Sequence, residues 1–85
     1  MKIIIDGRNI ENRDDFFAVF ARQMPLPDYF GNNLDALSDI LSEQQESVTI
    51  EIIFYRQLTT ALGDRFSSAF WRMLGDLDVN VIKHV

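Results

Sequence analysis

The sequence predicts an α/β fold, a three-stranded parallel sheet packed against helices in the order β-α-α-β-α-α-β, on three observations. Short runs rich in β-branched residues stand at the start, middle and end of the chain. Between them lie segments whose apolar residues recur at helical spacing. The two strand-to-strand connections are long and helical, which calls for parallel pairing with right-handed crossovers and helices covering the sheet. The 85 residues form one domain, 1–85, large enough to bury a modest core without a metal or disulfide.

Lys2 to Asp6 reads as the first strand, ended by the turn signal Asp6-Gly7. Asn12 caps a first helix with Asp14 and Asp15 in its first turn, where the helix dipole favours them. Its buried face is Phe16, Val19, Phe20 and Met24. Met24 to Asn33 is a loop, because Pro25 and Pro27 cannot continue a helix and Gly31-Asn32 suits unusual backbone angles. Asn33 caps a second helix. Val48 to Tyr55 is the strongest strand, Gln57 to Leu62 a short helix ended by Gly63, and Asp64 caps a last helix carrying Phe66, Ala69, Phe70, Met73 and Leu77. Val79 to Val85 returns as the third strand.

Composition excludes several function classes. With no cysteine, the chain has no disulfide framework, thiolate zinc site or cysteine nucleophile, which fits a reducing compartment. Ile3 to Ile5 is far too short for a signal-peptide core, and no apolar run could span a bilayer. A cytoplasmic protein that does not engage membranes is the expectation. The net charge of −5 is local: no Lys or Arg lies between Arg22 and Arg56, a gap holding Asp28, Asp35, Asp39, Glu43, Glu46 and Glu51. Outside that gap eight basic residues face seven acidic ones. Such a field repels nucleic acid and steers a basic partner.

The second helix carries the chemistry. Leu34, Leu37 and Leu41 fall on one face and anchor it, while Asp35, Asp39 and Ser42 point the opposite way. Asp35, in the first turn, gains about 0.3 to 1 kcal/mol from the dipole, so stability alone explains it. Asp39 has no such account. It lies four residues from both Asp35 and Glu43, like-charge spacings that cost a few tenths of a kcal/mol each, with no Lys or Arg within one turn. That placement suggests an external cation; the alternative is a solvated acidic face, the commoner case for an acidic helix, and only the adjoining loop tips the balance. Tyr29 and Phe30, just before the helix, are the aromatic types that anchor interfaces, with Tyr29 expected to be exposed and Phe30 divided between core and surface.

The run Leu26-Pro27-Asp28-Tyr29-Phe30-Gly31-Asn32-Asn33-Leu34-Asp35-Ala36-Leu37-Ser38-Asp39-Ile40-Leu41 closely resembles the signature of the barstar family of ribonuclease inhibitors, as does Ile5-Asp6-Gly7 through Ile10 upstream. The resemblance implies the barstar-like fold and a protein that binds a basic ribonuclease one to one, is a monomer when free, needs no cofactor and touches no nucleic acid. It implies that Asp39 takes the place of the substrate phosphate among the enzyme's cationic groups. Asp35 would bond backbone amides or an arginine, Tyr29 would pack on the catalytic histidine, and Ser42 would add a hydroxyl contact. The expected partner-binding set is Tyr29, Phe30, Asn33, Asp35, Ser38, Asp39, Ser42 and Glu46. The chain departs from the family in carrying Ser38 where a large aromatic stands, Glu43-Gln44-Gln45 in place of another aromatic, and Trp71 near a glutamate position, with Asp76 the nearest acid.

Two other readings stand beside this one. An enzyme would need a partner for His84, the single imidazole, and positive groups for a phosphodiester transition state, which the acidic segment lacks. Metal binding by Asp35, Asp39 and Glu43 is disfavoured because acids along one exposed helix rarely enclose an ion. An interaction module with a non-ribonuclease partner is the alternative left open by the missing aromatics.

Overall fold

The computed structural model describes residues 1–27 and 30–84. The strands are β1 (Lys2–Asp6), β2 (Thr49–Ile53) and β3 (Asn80–Lys83), and the helices α1 (Arg13–Gln23), α2 (Leu34–Ser42), α3 (Tyr55–Leu62) and α4 (Asp64–Asp76). They form one parallel sheet in the order β1-β2-β3, with Ile3 beside Ile50 and Ile50 beside Val81. The predicted α/β architecture is therefore the observed one.

Alternation along the strands puts Ile3, Ile5, Ile50 and Ile52 on one face, all fully buried. Against them pack Phe16, Phe17 and Phe20 of α1, Leu37 and Leu41 of α2, and Phe66, Phe70 and Leu74 of α4. The opposite face is open: Ile4 and Ile82 are 45% and 43% exposed. The sequence led us to expect helices covering the sheet; the helical layer covers one face of it, although parallel sheets are ordinarily buried on both. Charge occupies the open face. Glu51 receives Lys2 Nζ at 2.7 Å and lies 3.0 Å from His84 Nε2, so one carboxylate spans all three strands.

That network gives a pH prediction. The hydrogen bond from Lys2, and after it the one from His84, holds the Glu51 carboxyl below the ordinary glutamate value. A lowered folded value means its stabilisation is complete above the unfolded glutamate value and is lost as pH falls through the folded one. Urea midpoints of wild type and Glu51→Gln should therefore differ at neutral pH and converge in acid; a gap that widens in acid refutes the assignment.

Local chemistry sets the helix ends. Asn12 Oδ1 accepts from the Asp15 N–H at 2.9 Å and caps the helix, while the Asp15 carboxylate accepts from the Glu11 N–H just before the cap. Asn33 Oδ1 accepts from the Ala36 N–H at 2.8 Å, as its position predicts. Among the described residues of the preceding loop, Asn32 is left-handed, at φ 48°.

Four local features differ from the sequence reading. Residues 7–9 form a short 3-10 turn in place of a simple turn. β2 stops at Ile53 because Phe54 enters the left-handed region at φ 55° and starts α3 at Tyr55. Asp64 is the first residue of α4, whose cap position is Gly63 at φ 85°, so its carboxylate acts through the dipole and not as a cap. β3 is shorter than Val79 to Val85, and Val85 lies outside the described residues.

Gly7 fills a close approach between the 3-10 turn and α3. A methyl group there would press on the Phe54 carbonyl oxygen and lie 2.8 Å from the Leu58 nitrogen. Both atoms are backbone and cannot rotate away. Gly7→Ala is expected to destabilise the fold by roughly 3 kcal/mol, read from the urea midpoint.

Candidate functional site

α2 is nine residues long with a sharply divided surface. Leu37 and Leu41 are buried and Leu34 packs on the core, while Asp35, Asp39, Ser42 and Glu43 are exposed. Asn33 and Gly31 fix its entry, with the Asn33 side-chain nitrogen donating to the Gly31 carbonyl at 3.5 Å. At its exit the Ser42 hydroxyl donates to the Asp39 carbonyl at 2.8 Å and the Gln44 amide to the Ile40 carbonyl at 3.1 Å. The helix is held at both ends without using its carboxylates.

α2 stands as a ridge between two clefts. One, of about 420 Å³, is lined by Pro25, Pro27, Phe30, Ala36, Asp39, Ile40, Glu43 and Gln44. The other, of about 230 Å³, lies between α2 and α4 and is lined by Leu34, Asp35, Ser38, Ala69, Arg72, Met73 and Asp76. Asp39 therefore faces the loop-side cleft and Asp35 the α4 side, although they are one turn apart. Among the described residues neither aspartate forms an ion pair; the pairs are Met1–Glu46, Lys2–Glu51, Arg8–Asp6 and His84–Glu51. A carboxylate in this state keeps its full capacity to accept charge-assisted hydrogen bonds from outside.

The predicted site residues divide by what the fold does with them. Asp35, Ser38, Asp39 and Ser42 lie together on the exposed side of α2 and its flanks, Ser38 half-buried in the α4-side cleft. Phe30 is half-buried with its ring 5.8 Å from that of Phe17, so its main contact is the core. The Asn33 side chain is committed to capping. Glu46 lies beyond α2, exposed, with its carboxylate 3.9 Å from the Met1 ammonium. Tyr29 lies outside the described residues. The Trp71 ring packs on Tyr55 and Phe70, with Lys83 Nζ 5.5 Å from its centre, which accounts for the aromatic stripe of α4 as packing.

Sequence spacing does not bring Arg72 to α2, and the resemblance marked Asp76 only as the acid nearest a missing glutamate. Arg72 and Asp76 come from α4, far along the chain, yet line the cleft beside Asp35 and Ser38. Arg72 places a cation next to a face that reads as purely acidic along the sequence, and Asp76 a further carboxylate. Their four-residue spacing on one helix face was visible, but nothing local says that this face meets α2. His84 does find a partner, Glu51, on the open sheet face, where the pair spans two strands. Among the described residues no three His, Asp or Glu side chains converge as metal ligands, and no helix is long and apolar enough to cross a membrane.

A Bacillus subtilis protein named "Putative ribonuclease inhibitor YrdF" is 49% identical over 41 residues, which cover 48% of this chain and 45% of that protein. The match thus spans under half of the relative's length. Residues 1–79 match the family described as Barstar (barnase inhibitor). Since those residues take in β1, α2 with both aspartates, and all of α4, the chain belongs to the barstar family.

Proposed function

We propose that this chain inhibits a small basic ribonuclease, binding it one to one and covering its active site with α2 and the loop before it. The observation that carries the reading is Asp39, exposed at the mouth of a cleft and without an ion-pair partner among the described residues. A carboxylate so placed reproduces the charge and acceptor geometry of a phosphate entering a cationic active site. Asp35, one turn away, takes a second donor at the rim, and Ser42, Ser38 and Tyr29 complete the contact surface. Phe30 and Asn33 serve it from below, by supporting the loop and the start of α2. The chain performs no chemistry on RNA: the exposed face of α2 carries no cation to stabilise a phosphodiester transition state.

The test is a titration of RNA cleavage by barnase, the enzyme in the family's description, and by a panel of other small basic ribonucleases. Loss of activity that is complete at one equivalent for at least one of them supports the proposal. Full activity of every enzyme at excess inhibitor overturns it. Because the acidic charge lies between Arg22 and Arg56, attraction should also govern the encounter. The association rate in stopped-flow is expected to fall at least about tenfold as salt rises from low to physiological strength and beyond, through screening over a Debye length of about 8 Å. A salt-independent rate excludes steering.

A further inference from the structure

The two edges of the sheet are treated differently. On β1, Met1 turns its carbonyl toward β2, accepting from the Thr49 N–H at 2.8 Å, so by alternation Ile4 turns its peptide groups outward. The Gln23 side chain closes them: its Oε1 accepts from the Ile4 N–H at 2.9 Å, and its Nε2 donates to the Ile4 carbonyl at 2.8 Å. A carboxamide here does what a neighbouring strand would do, and the β1 edge is blocked.

The β3 edge has no such cover. The Asn80 and His84 N–H groups point into β2, at 2.8 Å from the Val48 and Ile52 carbonyls. Val81 and Lys83 therefore direct their N–H and C=O groups away from the sheet, and among the described residues no hydrogen bond reaches them. All four residues of β3 are exposed, Val81 by 39%. Lysines on edge strands often guard against pairing. Lys83 does not stand in that position, because its ammonium lies 4.4 Å from the centre of the Tyr55 ring and is turned toward the helices.

We propose that the β3 edge is a self-association surface, at which a second copy adds its own β3 antiparallel about a dyad through Ile82 to make one six-stranded sheet. The register is self-complementary. Val81 and the partner's Lys83 would face each other as hydrogen-bonded pairs, giving four backbone bonds, with the two exposed Ile82 side chains adjacent on the dyad. In this register no two charges oppose each other: Lys83 faces Val81 and His84 faces Asn80. A register centred on Lys83 would set the two lysines opposite. With Gln23 closing β1, each copy has one usable edge, so association ends at a closed dimer and cannot run on into a filament. Four residues a side is a small interface, so the dimer belongs to concentrated solution and the free chain is a monomer at dilution.

The experiment is sedimentation equilibrium of the whole chain from about 10 µM to about 1 mM, the range of weak association. Wild type should rise from the monomer mass of 9.9 kDa toward twice that value. Val81→Pro removes only an outward N–H and should keep the circular dichroism spectrum while staying monomeric; Ile82→Lys, at an exposed position, should do the same if proline perturbs the strand. Gln23→Ala, which reopens the β1 edge, should form species larger than a dimer. A wild-type mass fixed at the monomer value overturns the proposal, as does dimerisation undiminished in both β3 variants. These outcomes are read without any ribonuclease, so they are separate from the test of inhibition.

Discussion

Asp39→Ala is expected to weaken ribonuclease inhibition more than any other single substitution, by at least about 2 kcal/mol, or roughly 30-fold in Kd, the level at which a contact ranks as a hot spot. The same substitution should leave the fold slightly more stable. Asp39 stands one turn from Asp35 and from Glu43, and each like-charge spacing costs a few tenths of a kcal/mol that alanine removes. Its side chain caps nothing, and the hydrogen bond from Ser42 goes to its backbone carbonyl, which alanine keeps. The two measurements, an inhibition titration and a urea midpoint, should therefore move in opposite directions, the pattern expected of a residue kept for binding. Inhibition unchanged by Asp39→Ala would sink the phosphate-mimic mechanism. Asp35→Ala supplies the contrast: it should weaken both inhibition and the fold, the latter by about 0.3 to 1 kcal/mol, because Asp35 also serves the N-terminal dipole of α2.

Phe16→Ala is expected to cost about 3 to 5 kcal/mol of folding stability. Phe16 is completely buried, and its ring makes edge contacts with four others: Phe17 at 5.1 Å, Phe20 and Phe66 at 5.4 Å, and Phe70 at 4.9 Å between centres. It joins α1 to α4, so truncation opens a cavity that neither helix can close by itself. For a domain of this length, at roughly 0.05 to 0.15 kcal/mol per residue, that is a large share of the total. Denaturant unfolding should show the midpoint falling steeply; a loss under about 1 kcal/mol would mean the aromatic cluster is not the centre of the core.

Because its signals are local, much of the candidate site was legible in the sequence. The Asn33 cap, the Leu34-Leu37-Leu41 face and the opposed Asp35 and Asp39 depend on spacing within one helix, and each is where spacing puts it. Phe30 was divided between core and surface, and packing against Phe17 decided for the core. Arg72 could not be assigned, and Asp76 was marked only as the acid nearest a missing glutamate, because their place beside Ser38 depends on how α4 crosses α2. The early stop of β2 was hidden for a related reason: Phe54 is a good strand residue by type. Its left-handed backbone stands where α3 meets the 3-10 turn at Gly7, with the Arg8 guanidinium 4.2 Å from the centre of its ring, a contact between segments far apart in sequence.

The sequence by itself determined the α/β class, the parallel sheet, the division of α2 into an anchoring and an acidic face, and the absence of a local cation for Asp39. These follow from periodicity, capping chemistry and charge order, all of which act over a few residues. Only the tertiary structure decided that the helices cover a single face of the sheet, that α4 brings Arg72 and Asp76 to α2, and that Gln23 closes one sheet edge while β3 stays open. Those features depend on contacts between segments distant along the chain, whose pairing is set by the packing of the whole core and not by any local run of residues.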